Sequence, residues 1–71
     1  MTHTVAAELV GNVGVVSAKA GDVVGPTDTL VILESMKMEI PVVAEVGGTV
    51  ADVAVVEGGS VQDGAVIAVI G

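Results

Sequence analysis

The chain has 71 residues, with two basic side chains against nine acidic ones and a formal charge of −7. A chain of this length can bury one small core and covers only about 60% of its unfolded surface, so residues 1–71 are expected to form one domain with a thin stability margin. It contains no Cys, Phe, Tyr or Trp, which excludes disulfides, thiolate metal sites, base stacking and aromatic cages, and its acidic balance argues against nucleic acid and anionic membrane as partners. In chain order, Met1–Glu8 has neither a basic segment nor a long apolar run, so no signal peptide is read there, and His3 is expected in a frayed end. Gly, Asp or Glu interrupts every later apolar run well before about 18 residues, so no membrane span is expected and the cytoplasm is the expected compartment.

Eighteen residues are Val and ten are Gly. Val is stiff at its first side-chain torsion and packs well on a pleated surface, whereas Gly marks tight turns. No window sustains an apolar period of 3.6 residues. The expected strands are Val5–Val10, Val13–Ala18, Leu30–Ser35, Met38–Val43, Thr49–Val55 and Val66–Ile70, with short bridges near Val23–Val24 and Val61. The fold class is all-β, a small sandwich or barrel. Val24 and Ile32 are expected in its core.

The chain resembles itself at a shift of 37 residues. Val5, Ala7 and Glu8 meet Val42, Ala44 and Glu45; Gly11, Val13 and Val16 meet Gly48, Val50 and Val53; Gly21 and Val24 meet Gly58 and Val61. That makes 8 identities in 30 gapless positions, against roughly three or four expected from composition. Two similar halves should therefore pack as a pseudo-twofold pair of sheets, since neither could bury its apolar face alone. The repeat gives out at Ser35–Pro41, the segment joining the halves.

Leu30–Ser35 and Met38–Val43 form two hairpin arms around Met36-Lys37. A two-residue hairpin turn prefers Asn-Gly or Asp-Gly, because both central residues need positive φ. The pairing also sets Glu34 opposite Glu39 and leaves two Met side chains near an exposed tip. Three local rules broken within six residues mark a functional site. Two blander readings stand beside this one: a short helical connection over Glu34–Glu39, and core-filling methionines with Lys37 turned to solvent as an ordinary surface charge.

Glu34-Ser35-Met36-Lys37-Met38-Glu39 resembles the Met-Lys-Met signature of biotinyl domains, the biotin carboxyl carrier modules. Gly21-Asp22-x-Val24, Leu30-x-x-Leu33-Glu34, Ala44-x-x-Gly47-Gly48-x-Val50 and Gly58-x-x-Val61-x-x-Gly64-x-x-Ile67 extend the likeness from about Val5 to Ile70. The resemblance implies a flattened barrel-sandwich of two four-stranded antiparallel sheets. It makes Lys37 the site of covalent biotin attachment by a biotin protein ligase. Met36 and Met38 would be read by the ligase and by the carboxylase sites, with Glu34, Ser35 and Glu39 as flanking recognition residues. The implied partners are biotin carboxylase and carboxyltransferase subunits, and the chain itself would be a non-catalytic, monomeric, free-standing carrier. Ser35 departs from the family's usual Ala, Thr27 from a usual Gly and Gly59 from a usual Asp. No room is left for the protruding loop of some acetyl-CoA carboxylase carriers, so the small, thumbless type is expected.

A lipoyl domain is the nearest rival, but its turn typically reads Asp-Lys-Ala, so lipoate is the less favoured group; a bifunctional acceptor of biotin and lipoate stands beside it. An unmodified interaction module with the same fold is a second rival. An autonomous enzyme is a poor third: Ser17, Ser35 and Ser60 have no base partner in the sequence, no metal-ligand spacing appears, and the scattered carboxylates serve solubility. Lys19 lacks the Met frame and is read as a solvated charge.

Overall fold

A computed structural model describes residues 2–71. Its strands are β1 (His3–Ala6), β2 (Gly11–Val16), β3 (Val23–Val24), β4 (Thr29–Ser35), β5 (Met38–Val43), β6 (Gly48–Val53), β7 (Ser60–Val61) and β8 (Val66–Ile70). They form two four-stranded sheets, ordered β1-β8-β6-β3 and β5-β4-β2-β7, and every pairing is antiparallel. Among the described residues no helix is long and apolar enough to cross a membrane.

The sequence repeat is a structural one. A shift of 37 residues carries β2 onto β6 and β3 onto β7, and the same relation exchanges the two sheets strand for strand. Registers repeat as well. Val13 faces Leu33 where Val50 faces Ile70, and a bulge follows in each case, between Val13 and Val15 and between Val50 and Asp52. Turn bonds repeat too: the Gly21 N–H donates to the Val50 carbonyl, and the Gly58 N–H to that of Val13, both at 2.8–2.9 Å.

Each sheet mixes strands of both halves, so the inner faces close over one shared core. Leu30, Val31 and Leu33 of β4 and Ile67, Ala68 and Ile70 of β8 lie at its centre, all fully or almost fully buried. These are the middle strands of the two sheets, flanked on both sides. Val24 is half-buried and packs against the core, whereas Ile32 is half-buried without joining it, which corrects the assignment of Ile32 to the core. Ile32 falls on the outward phase of β4, beyond the bulge in its pairing with β2. Pro41 sits in β5, an edge strand, where its missing N–H removes no ladder bond.

Three expected strands lie nearer the N-terminus than the Val pattern implied. Val5–Val10 is replaced by His3–Ala6, because the chain leaves the sheet after the bulge at Val5/Ala6. Gly11 and Gly48 begin β2 and β6, although Gly was read as a turn residue. At Gly11 the reason is close approach: a Cβ there would lie 2.8 Å from the Glu34 carbonyl oxygen. His3 belongs to β1, paired with Ile70, and its Nε2 lies 2.9 Å from Glu45 Oε1; the expected fraying is corrected by this pairing.

Nor do the acidic residues serve solubility alone. Asp22 accepts from the Lys19 N–H, Asp28 from the Gly25 N–H and Glu57 from the Val16 N–H, at 3.0, 2.7 and 3.0 Å, so two of them build turns and the third binds the end of β2.

Removing part of Ile67 tests the shared core. Ile67→Ala is expected to cost about 2–5 kcal/mol, through lost burial and the cavity left behind. Urea denaturation checks this, and a cost below about 1 kcal/mol would contradict the central placement of β8.

Candidate functional site

β4 and β5 are joined by two residues, Met36 and Lys37. The pairs Leu33–Ile40, Glu34–Glu39 and Ser35–Met38 run up to the turn without a break. Met36 has φ of 51° and Lys37 has φ of 67°, both left-handed. Positive φ at both central positions matches the right-handed twist of the two arms, as in type I′ hairpin turns. The hairpin reading holds, and the helical connection does not. Core filling is also excluded, since Met36 is 91% exposed and Met38 60%. Lys37 is exposed at the tip.

The base of the tip is held at two points. Leu33 is fully buried two residues below Ser35. Ser35 Oγ donates to the Val10 carbonyl at 3.1 Å, tying the hairpin to the segment between β1 and β2. Val10 is itself 66% exposed beside the tip. Sequence reasoning passed over it because an apolar residue at a strand end carries no distinct signal.

The opposed glutamates are separated by a device that was also missed. The Glu34 side chain lies over Gly14 of β2, where a Cβ would come within 3.0 Å of its Cγ and Cδ. β2 and β5 flank β4 on opposite sides. Gly14 therefore lets the Glu34 carboxylate turn toward β2 and away from Glu39, which relieves the like-charge contact. Among the described residues the one acid–base side-chain contact is His3–Glu45, so neither Glu34 nor Glu39 is bound to Lys37.

The tip also stands away from the chain ends. Thr29–Val43 is the pair of β4 and β5 furthest from the turn, and just beyond it Glu45 meets His3, whose own partner is Ile70. The molecule measures 33 × 18 × 17 Å, and His3 and Ile70 lie at the end of the β4–β5 hairpin remote from Lys37. Two shallow grooves open elsewhere, one between β1 and β5 and one beside Gly47 and Gly71, and Lys37 lines neither.

The fold is thus a barrel-sandwich of two related halves that presents one lysine on a left-handed hairpin tip. The family model described as "Biotin-requiring enzyme" matches residues 2–70, and the chain belongs to this biotin/lipoyl attachment family. It is 51% identical over 70 residues to a biotinylated protein TB7.3 homolog of Mycobacterium leprae, covering 99% of each chain. It is 45% identical over 64 residues to a biotin/lipoyl attachment protein of Bacillus subtilis, covering 90% of this chain and 88% of that one. Among solved structures, the urea carboxylase of Kluyveromyces lactis matches all of this chain with a TM-score of 0.93 and 31% identity, over 6% of its own length. The lipoyl domain of the Azotobacter vinelandii 2-oxoglutarate dehydrogenase complex matches 87% of this chain and 78% of its own, with a TM-score of 0.74 and 27% identity.

The turn's conformation yields a direct test. A left-handed residue other than Gly costs roughly 1–2 kcal/mol, and Gly returns part of that gain through its own entropy. Lys37→Gly is therefore expected to raise stability by about 0.5–1 kcal/mol while removing the amine. Thermal and urea unfolding would show it, and a clear loss of stability would contradict the left-handed assignment.

Proposed function

We propose that the chain, over residues 1–71, is a non-catalytic biotin carrier whose Lys37 is acylated by a biotin protein ligase. The observation that supports this most is Lys37 itself, an exposed primary amine on a left-handed turn fixed at its base by Leu33 and Ser35. The residues present suit such a group, because the tip offers a nucleophile without an enclosing pocket that would obstruct either a ligase or a long prosthetic arm.

In the ligation step, neutral Lys37 Nζ attacks the activated carboxyl carbon of biotin. A C–N bond forms, the bond to the leaving phosphate breaks, and the amine gives up a proton. The rigid hairpin fixes the direction of approach, while the lysine's four-carbon stem supplies reach. Met36 and Met38 offer adaptable apolar contact to the ligase and later to carboxylase sites. Glu34, Ser35 and Glu39 set the charge and shape of the collar around the amine.

Bound biotin supplies a site that accepts a carboxyl group at one active centre and releases it at another. The protein's part is to hold that group by a tether, which raises its effective concentration at each centre to the millimolar range. The partners proposed are biotin carboxylase and carboxyltransferase components, in keeping with the match to a single-chain long-chain acyl-CoA carboxylase (TM-score 0.89, 31% identity, 7% of that chain). The carrier acts as a monomer, and the cytoplasm, where ATP is at hand, is the place proposed for ligation.

Acceptance of lipoate is the second reading, favoured by the name of the Bacillus subtilis relative and by the lipoyl neighbour. Met36 and Met38 weigh against it. Incubation with a biotin protein ligase, ATP and biotin is expected to add the mass of one biotin less one water, located by fragmentation at Lys37 and not at Lys19. Lys37→Arg is expected to stay folded and take up nothing. No mass gain in the folded wild-type chain would overturn the carrier reading, and a gain only with lipoate and its ligase would establish the second.

A further inference from the structure

Methionine sulfur is the most readily oxidised group this chain has, since Cys, Trp and Tyr are all absent. Three methionines are present, and two of them flank Lys37. Both stand in the open, at 91% and 60% exposure, and neither contributes to the buried core. Thioether oxidation follows exposure, so the reactive sulfur is concentrated on either side of the one lysine at the tip. Leucine would supply similar apolar contact without this liability, and only the thioether adds a reversible change of polarity.

We propose that Met36 and Met38 form a reversible oxidation site that controls access to Lys37. The inference rests on the reading of Lys37 as the acylated residue. Hydrogen peroxide or another hydroperoxide is the oxidant. The thioether sulfur attacks one peroxide oxygen, the O–O bond breaks, an S–O bond forms, and the remaining oxygen leaves as water or alcohol. Sulfur is oxidised by two electrons and the peroxide reduced by two. A methionine sulfoxide reductase reverses the step, with two thiols becoming a disulfide and the oxygen leaving as water.

The sulfoxide turns a soft apolar contact into a polar one at the surface a ligase must cover. Because neither side chain packs inward, the change leaves the fold intact. The effect is therefore on recognition and not on stability, which separates a switch from oxidative damage.

The test uses the whole chain. It is treated with hydrogen peroxide, the peroxide is removed with catalase, and sulfoxides are located by fragmentation before ligase, ATP and biotin are added. Oxidation at 36 and 38 is expected to lower kcat/KM for biotin transfer at least tenfold with an unchanged melting temperature. Reductase treatment is expected to restore it. In the Met36→Leu/Met38→Leu variant, whatever its own rate, the ratio of treated to untreated rates is expected to stay near one. Equal labelling of the oxidised and untreated wild-type chain would overturn the switch and leave the carrier reading standing, as would a ratio that still falls in the leucine variant. An untreated wild-type chain that takes up no biotin would overturn the carrier reading itself, and the switch with it.

Discussion

Neither half of this chain can cover its own apolar face. Each contributes four short strands, one of them only two residues long, and no Phe, Tyr or Trp is available to fill space. The solution is exchange. β1 and β3 of the first half flank β8 and β6 of the second, while β5 and β7 of the second flank β4 and β2 of the first. Burial thus depends on both halves at once, and no half-structure offers a stable stopping point. The core is made of Val, Ala, Ile and Leu, aliphatic side chains whose size suits a thin space between two sheets.

That shared core makes the tip rigid. β4 is a central strand with its inner face fully buried, so the hairpin it carries inherits a fixed direction. The functional geometry is then reached with few polar contacts: one hydroxyl on Val10, one glycine beneath Glu34, and an unbroken ladder to the turn. The tip therefore presents an exposed amine in a defined direction, away from His3 and Ile70.

Much of this was legible in the sequence because the repeat ties local pattern to global architecture. Eight identities predicted two related halves, and the strands, the sheet orders and even the bulges follow the same shift. The hairpin was legible for the opposite reason, since Glu34, Met36, Lys37 and Glu39 each break a local rule. Less legible were effects that depend on contacts between strands far apart in the sequence. Gly11 reads as a turn until the Glu34 carbonyl is seen beside it, and Gly14 looks interchangeable until Glu34 lies across it. His3 looks like a loose end until Glu45 and Ile70 are found as its partners. Periodicity carries no information about such contacts.

The left-handed positions separate conformational need from function. Gly21, Gly58 and Gly64 have φ of 97°, 85° and 88°, outside the left-handed well that ordinary residues tolerate, and a Cβ at any of them would meet nothing within 4 Å. Glycine is there for its backbone alone. Met36, Lys37 and Glu45, at 51°, 67° and 73°, lie in or near the tolerated well, where a side chain is costly but allowed. The fold thus uses glycine where the backbone demands it and forgoes glycine at three places where it would still help. At Glu45 the side chain reaches His3 and ties the turn after β5 to β1. At Met36 and Lys37 the side chains contribute no burial, and no hydrogen bond or ion pair of theirs is found among the described residues. Side chains retained against the local preference, and without a stabilising contact of their own, are accounted for by what they meet outside the molecule, which is why the tip is the place to look for this protein's chemistry.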